Sequence, residues 1–180
     1  MADLTTRRRA RLDEALARSR VPLGFLFGAA VLWLAHPTFA TLAAGSAIAA
    51  AGELLRFWAA GHLEKGSEVT RSGPYRMTHH PLYAGSALIG AGVAVASAQW
   101  SAAVLVAVYL LSTIAAAIRH EEANMRAAFG DGYDAYLSSR AKLSGRSFSV
   151  ARAFRNKEYR AIIGLLVVAA VFAFKASRHL

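Results

Sequence analysis

The residues with the clearest capacity for chemistry lie between Ser72 and Gly85, in the stretch Ser-Gly-Pro-Tyr-Arg-Met-Thr-His-His-Pro-Leu-Tyr-Ala-Gly. The dipeptide Gly73-Pro74 predicts a turn. Pro81 predicts the first turn of a helix, because proline lacks the N–H group that this position leaves unpaired. The free N–H groups and the positive dipole end of a helix start favour an anionic group such as a carboxylate.

Imidazole and phenol side chains surround this predicted helix start. His79 and His80 precede Tyr83 by four and three residues, which predicts that all three share one helical face. Tyr75 adds a second aromatic ring on which a nucleobase could stack. Aromatic and basic residues at a helix end are also typical of a plain membrane-interface belt. The stretch therefore predicts either a binding site or such a belt.

A second polar group, Arg119-His120-Glu121-Glu122, follows a long apolar run. Its carboxylates can accept hydrogen bonds from hydroxyl or ammonium groups, and Arg119 can orient an anionic partner. A solvated charge cluster at a helix end is the alternative. The group lacks the His-Glu-x-x-His spacing, and the chain has no cysteine, so we predict no metal site.

A third group, Glu53 and Arg56, lies one helical turn apart inside an apolar segment. Ionisable residues at such a depth point to a functional role, with each other as the expected partner. An ion pair that extends to the membrane interface is the alternative.

Five apolar segments must position these groups, at residues 21–35, 39–60, 82–98, 100–118 and 161–174. About 20 helical residues cross a hydrocarbon core of about 30 Å. The chain is 56% apolar over 180 residues, and a soluble bundle would lack the polar surface to cover five such helices. The sequence therefore predicts an all-α integral membrane protein with five transmembrane helices, and it leaves the oligomeric state open.

The charge distribution predicts the orientation of these helices. All lysines and arginines except Lys175 and Arg178, and all 11 acidic residues, lie in the N-terminal tail, in the 61–81 and 119–160 segments, or at adjoining helix ends. The positive-inside rule makes this side cytoplasmic, as in a bacterial inner-membrane protein. Because topology explains the net charge of +10, nucleic-acid binding is not expected. Residues 1–20 are predicted to form a basic cytoplasmic helix at anionic head groups, ahead of a five-span domain over residues 21–180.

Two blocks of sequence resemble the membrane methyltransferase superfamily that includes isoprenylcysteine carboxyl methyltransferases and phospholipid N-methyltransferases. The first block matches the family spacing at Gly73, Tyr75, His80, Pro81, Tyr83 and Gly85. His79 stands where the family usually has arginine, and histidine is only partly charged at neutral pH. The second block is similar at Glu121, Glu122, Phe129, Gly130, Tyr133 and Tyr136. A Leu-Arg-x-Trp-Ala stretch at residues 55–59 extends the similarity, which covers roughly residues 54–137.

The resemblance implies S-adenosylmethionine as methyl donor and S-adenosylhomocysteine as product, with the cytoplasmic loop and an amphipathic helix forming the cofactor site. The implied cofactor-binding residues are Gly73, Tyr75, His79, His80, Pro81, Tyr83, Gly85, Glu121 and Glu122. The implied catalytic residues are Glu53, Arg56, Arg119 and Glu122. Phe129, Tyr133 and Tyr136 would pack one helical face onto the membrane or over the site.

The acceptor implied by the resemblance is lipophilic and membrane-embedded, either isoprenylcysteine carboxylate-like or phospholipid-like, and it would enter from the bilayer. Two other functions stay open. An NADPH-dependent reductase of the sterol-reductase type shares similar motifs, and a non-catalytic membrane protein could retain the fold without the activity.

Overall fold

The computed structural model describes residues 24–138 and 145–178. The basic helix predicted for residues 1–20 lies outside these ranges. All regular secondary structure within them is helical, with no β-strand. The all-α prediction is therefore confirmed for the described part of the chain.

Seven α-helices and one short 3₁₀ helix make up this part of the chain. In order they are α1 Gly24–Leu34, α2 Phe39–His62, the 3₁₀ helix Gly73–Arg76, α3 Pro81–Ser97, α4 Trp100–Phe129, α5 Asp131–Leu137, α6 Val150–Arg155 and α7 Tyr159–Ser177. Each of the five predicted apolar segments coincides with α1, α2, α3, α4 or α7. Helix α4 continues beyond residue 118, where the predicted segment ends, as far as Phe129. The polar residues after position 118 therefore lie on the same helix, beyond its apolar part.

Helices α2 and α3 form the central pair, because facing glycines let their backbones touch. A Cβ atom added to Gly92 of α3 would lie 2.5 Å from the carbonyl oxygen of Gly45 and from the backbone nitrogen of Ala49, both in α2. A Cβ atom added to Gly52 would lie 2.7 Å from the carbonyl oxygen of Gly85. Small residues permit this close approach in helix pairs that lack large side chains at the contact.

The ends of α1 and α7 that lie away from the polar loops join in a second contact region. Phe172 of α7 is fully buried against Val31 and Ala35 of α1, together with residues of α3 and α4. Lys175 donates hydrogen bonds from Nζ to the carbonyl oxygens of Leu32 (2.8 Å) and Trp33 (3.0 Å). These bonds satisfy carbonyl groups that the end of α1 would otherwise leave unpaired.

Helices α4 and α7 are long and apolar enough to cross a membrane, whereas α1 and α3 are apolar but shorter. Large apolar side chains are exposed along both long helices, including Val108 and Leu111 of α4 and Leu166 and Val167 of α7. A continuous exposed apolar surface of this kind is typical of an interaction surface or a membrane contact.

The other end of α2 is held by α6 and its flanking residues. Asn156 donates from Nδ2 to the carbonyl oxygens of Ala60 and Leu63, each at 2.9 Å. Arg152 donates from Nη1 to the carbonyl oxygen of Gly61 at 2.6 Å. Side chains that are distant in sequence thus cap α2, and they fix the point at which the chain leaves this helix for the polar loop.

Candidate functional site

A cavity of about 500 Å³ lies where the end of α2, the loop after it, the start of α3, and helices α4 and α5 meet. Its walls combine several apolar side chains with carboxylate, imidazole, guanidinium and phenol groups. The lining residues are Arg56, residues 63–66 and 68–70, Tyr75, residues 79–83, Thr113, Ala116, Ala117, His120, Glu121, Asn124, Met125, Tyr133 and Tyr136.

The cavity follows α4 from Thr113 to Met125, a path of about 18 Å at the helical rise of about 1.5 Å per residue. It therefore connects the apolar part of α4 with its polar extension. The deep end is lined by Arg56, Leu82, Tyr83, Thr113, Ala116 and Ala117. The loop end is lined by residues 63–66 and 68–70, Glu121, Asn124, Met125, Tyr133 and Tyr136.

Helix α3 begins at Pro81, as the sequence predicts, and His80 occupies its N-cap position. The shared helical face predicted for His79, His80 and Tyr83 is wrong, because both histidines precede the helix. The His79 ring instead packs edge-on against Tyr136, with ring centroids 4.8 Å apart. The His80 and Tyr83 ring centroids are 5.9 Å apart. Both histidines still line the cavity, by way of the loop.

The predicted turn at Gly73 exists and has a positive φ of 57°, a conformation that glycine adopts without steric cost. A side chain there would also collide with the His62 ring. Nδ1 of His62 lies 2.9 Å from Oγ of Ser72. Burial, reinforced by neighbouring guanidinium groups, lowers the pKa of His62. Gly73 thus shapes the loop against a buried, uncharged imidazole and lies outside the cavity lining.

The adjacent glutamates of α4 have different surroundings. Oε1 of Glu122 lies 3.2 Å from Nε2 of His80, and its Oε2 accepts a hydrogen bond from Nη1 of Arg126 at 3.4 Å. Glu122 therefore contacts His80, which lines the cavity, but does not line the cavity itself. Glu121 does line it, and its carboxylate makes no hydrogen bond or ion pair with any described residue.

Helix α5 covers the loop end of the cavity. Gly130, with φ 47°, breaks the helical path after Phe129, so the single helical face predicted for Phe129, Tyr133 and Tyr136 is divided between two helices. Tyr133 and Tyr136 are buried against Val69, and Tyr136 donates a hydrogen bond from its hydroxyl to the carbonyl oxygen of Tyr75 at 2.9 Å. Burial raises the pKa of Tyr136 to about 12, so its hydroxyl remains a hydrogen-bond donor.

Arg56 enters the cavity lining from α2, and it has a partner that the sequence did not reveal. Its Nε donates to Oε1 of Glu158 at 2.6 Å, and its Nη1 donates to Oγ of Ser86 (2.5 Å) and to the carbonyl oxygen of Leu82 (3.4 Å). The predicted partner, Glu53, lies farther away, with Oε2 at 3.8 Å from Nε. Both carboxylate oxygens of Glu53 are buried without a hydrogen-bond partner among the described residues.

A further cluster of charges, also not predicted from the sequence, holds the loop after α2. Oε1 of Glu64 accepts from Nε of Arg152 at 2.7 Å and from Nη2 of Arg155 at 3.2 Å. Nη1 of Arg146 lies 3.6 Å from the same oxygen. The Arg152 hydrogen bond, with the other two cations, lowers the pKa of Glu64. The cavity wall at Glu64 is therefore tied to α6 and to the residues before it.

The cavity thus brings together part of the predicted site. Seven predicted residues line it: Arg56, Tyr75, His79, His80, Pro81, Tyr83 and Glu121. Five lie outside the lining: Glu53, Gly73, Gly85, Arg119 and Glu122. Among these, Gly85 permits the approach of α2, since a Cβ atom there would meet Arg56 and the Gly52 backbone. Glu158 was not predicted as a site residue. The one sequence signal for it is its position, because it is the last acidic residue before the final apolar run.

The profile of the phospholipid methyltransferase family matches residues 25–132, which run from α1 to the start of α5. No curated protein and no solved structure matches the chain.

Proposed function

Because the chain belongs to the phospholipid methyltransferase family, we propose that it is an S-adenosylmethionine-dependent methyltransferase acting on a lipophilic acceptor in the membrane. The observation that carries this proposal is that one cavity is lined both by the helix start at Pro81 and by Glu121 of α4. These groups come from the two separate sequence blocks, and they converge on one space with both apolar and polar walls.

The loop end of the cavity has the groups that the cofactor requires. The carboxylate of Glu121, which has no partner in the described part of the chain, can accept hydrogen bonds from an ammonium group or from ribose hydroxyls. Tyr133 and Tyr136 offer aromatic surface for the adenine ring. The cavity volume of about 500 Å³ falls within the range of roughly 300–1,000 Å³ that is usual for small-molecule sites. When bound, S-adenosylmethionine supplies an electrophilic methyl group on a positively charged sulfur.

The residues of the chain contribute mainly by positioning the reactants. The site would hold a nucleophile in line with the methyl group, so that the reactants need not meet by diffusion. This positioning accounts for a large share of the rate enhancement in reactions of this kind. Helix α5, through Tyr133 and Tyr136, forms one wall of the loop end. The contact between Glu122 and His80 positions the part of the cavity wall that lies at the start of α3.

We assign five membrane crossings to α1, α2, α3, α4 and α7, within a domain over residues 21–180. Helix α4 would cross with its first part and extend into the cytoplasm up to Phe129, while α1 and α3 would need flanking residues or a locally thinner bilayer. Residues 1–20 would lie on the cytoplasmic surface. The concentration of lysine and arginine on the cavity side supports a cytoplasmic cofactor site in a bacterial inner membrane.

Thermal denaturation of the detergent-purified protein tests this function against the reductase and the non-catalytic alternatives. A ligand at 100 times its Kd stabilises the folded state by about 2.7 kcal/mol. S-adenosylhomocysteine is therefore expected to raise the Tm by roughly 5–10 °C for a chain of this size, and NADPH is expected to leave it unchanged. Stabilisation by NADPH alone would favour the reductase, and stabilisation by neither compound would contradict a cofactor site.

A further inference from the structure

Four aromatic rings form a partly exposed cluster at the junction of α2, α6 and α7. They belong to Phe57, Phe148, Phe154 and Tyr159. The Phe154 ring lies nearly parallel to the Tyr159 ring, with centroids 6.2 Å apart, and edge-on to the Phe57 ring at 6.5 Å. The Phe148, Phe154 and Tyr159 side chains are exposed. Because aromatic residues collect at the level of lipid head groups, we expect this cluster at the membrane interface on the side of the polar loops.

The chain beside this aromatic cluster is strongly basic. Residues 150–160 contain four basic residues and one acidic residue, Glu158. Glu158 is buried and accepts a hydrogen bond from Arg56, so its charge does not face outward. Lys157 and Arg160 are exposed, and neither side chain makes a hydrogen bond or ion pair with any residue in 24–138 or 145–178. The two lie on one turn, because the N–H group of Arg160 donates to the carbonyl oxygen of Lys157 at 3.1 Å. The outer surface of this turn therefore has two cations available to an anion.

Lys157 has a left-handed backbone conformation, with a φ of 63°. Its N–H group donates to the carbonyl oxygen of Phe154 at 2.9 Å, and the N–H group of Glu158 donates to that of Ala153 at 3.2 Å. These two bonds end α6 in the motif whose left-handed position is usually glycine. A residue with a Cβ atom is disfavoured in this conformation. Lysine therefore reduces stability here, which is typical of a position at which the side chain has a function.

The surroundings of the two cations favour a lipid over a soluble anion. Ile163, one helical turn after Tyr159, is exposed, and the exposed apolar surface of α7 continues through Leu166 and Val167. A phospholipid presents a phosphate to the cations and acyl chains to this apolar surface. A nucleic acid or an acidic peptide would contact the cations but would leave the apolar surface uncovered. Anionic lipids also attract lysine and arginine near the cytoplasmic surface of a membrane.

We propose that the turn between α6 and α7 binds the phosphate of an anionic phospholipid through Lys157 and Arg160, while Phe154 and Tyr159 contact its acyl chains. These four residues lie outside the cavity lining and beyond residues 25–132, the part matched by the family profile. The inference therefore goes beyond the proposed methyl transfer, and it depends only on the membrane crossing assigned to α7.

A lipid bound at this turn would also stabilise the end of α2. Asn156, directly before Lys157, caps α2, and Glu158, directly after it, accepts a hydrogen bond from Arg56 of α2. A ligand that holds the turn in place therefore holds these contacts as well. Because a ligand that binds only the folded state raises the Tm, thermal denaturation is a suitable measurement of lipid binding.

Thermal denaturation of the full chain in mixed micelles tests this proposal. The protein is purified in dodecyl maltoside, and dioleoylphosphatidylglycerol or dioleoylphosphatidylcholine is added at the same mole fraction. We expect the Tm in phosphatidylglycerol to exceed that in phosphatidylcholine by about 3–6 °C, the shift for a ligand at about ten times its Kd. Lys157→Gln and Arg160→Gln are each expected to lose about half of this gain or more. A high concentration of sodium chloride should reduce the wild-type gain, because salt screens exposed charges.

Matched variants separate a bound lipid from a general effect of positive charge. Arg178→Gln removes an equal charge from the opposite end of α7 and is expected to retain the wild-type gain. Lys157→Arg retains a cation and is expected to retain the gain as well. Lys157→Gly relieves the left-handed backbone, so we expect it to raise the Tm in phosphatidylcholine by roughly 2–4 °C and yet to lose the gain from phosphatidylglycerol. A structural defect would not produce these two opposite effects.

A full gain in both Lys157→Gln and Arg160→Gln would overturn the proposal, because the lipid would then act elsewhere. An equal loss in Arg178→Gln would overturn it too, since net charge alone would explain the gain. An equal rise of the Tm with soluble glycerol 3-phosphate would show a site for a soluble anion instead of a lipid. None of these measurements involves S-adenosylmethionine, so a failure of the proposed methyltransferase function would leave their outcome unchanged.

Discussion

Replacing Glu121 by glutamine is expected to weaken S-adenosylhomocysteine binding roughly 10- to 100-fold, because a hydrogen bond to a charged group contributes about 1.5–3 kcal/mol. Glu121 lines the cavity, and its carboxylate has no partner among the described residues. Its hydrogen-bonding capacity is therefore available to a ligand. Glutamine retains the shape of the side chain but loses the charge and one of the two acceptor oxygens. Calorimetric titration of the purified variant measures the effect.

The neighbouring Glu122 is the matched control for this change. Its oxygens already contact Nε2 of His80 at 3.2 Å and Nη1 of Arg126 at 3.4 Å. Glu122→Gln should therefore act indirectly through His80, with a loss of about two- to fivefold expected for one weakened contact of this kind. A larger loss in Glu122→Gln than in Glu121→Gln would show that the two glutamates have the opposite roles.

Replacing Gly92 by alanine is expected to destabilise the protein by about 1–3 kcal/mol, the usual cost of overpacking. The added Cβ atom would lie 2.5 Å from the Gly45 carbonyl oxygen and the Ala49 backbone nitrogen. Neither backbone atom can move unless α2 and α3 separate. Thermal denaturation should show a fall in Tm of roughly 3–10 °C. Cofactor affinity should fall as well, because Arg56 of α2 and Tyr83 of α3 line the same cavity.

Gly164 of α7 provides the control for helix propensity. Nothing lies within 4 Å of a Cβ atom added there, so Gly164→Ala should stabilise α7 slightly, by up to about 1 kcal/mol. If Gly92→Ala and Gly164→Ala shifted the Tm equally, the close contact between α2 and α3 would not exist in solution.

Local sequence signals predicted several elements of the site correctly. Pro81 marked the start of α3, and Gly73-Pro74 marked a turn that the positive φ of Gly73 confirms. Both depend on backbone properties of the residue itself, which a sequence displays directly. The different positions of Glu121 and Glu122 relative to the cavity could not be predicted, because two adjacent glutamates differ only in the residues that surround them.

Long-range contacts were the main part that the sequence did not reveal. The bond between Arg56 and Glu158 joins residues 102 positions apart, and helical periodicity gives no information over such a distance. A partner one turn away, Glu53, was the nearest candidate that spacing could identify. The capping of α2 by Asn156 depends in the same way on the packing of α6. The break at Gly130 was missed because a glycine near a helix end is compatible with either continuation or termination.

Transfer of a radioactive methyl group is the most direct test of the central claim, that the cavity holds a sulfonium methyl donor next to a lipophilic acceptor. Membranes containing the protein are incubated with S-adenosylmethionine labelled on its methyl group, and the lipid phase is then extracted with organic solvent. Label is expected to accumulate in that phase with the wild type, and accumulation should fall at least tenfold with Glu121→Gln, matching the loss of cofactor affinity. Extracts that stay unlabelled with the folded wild-type protein, or label that is independent of Glu121, would contradict the account.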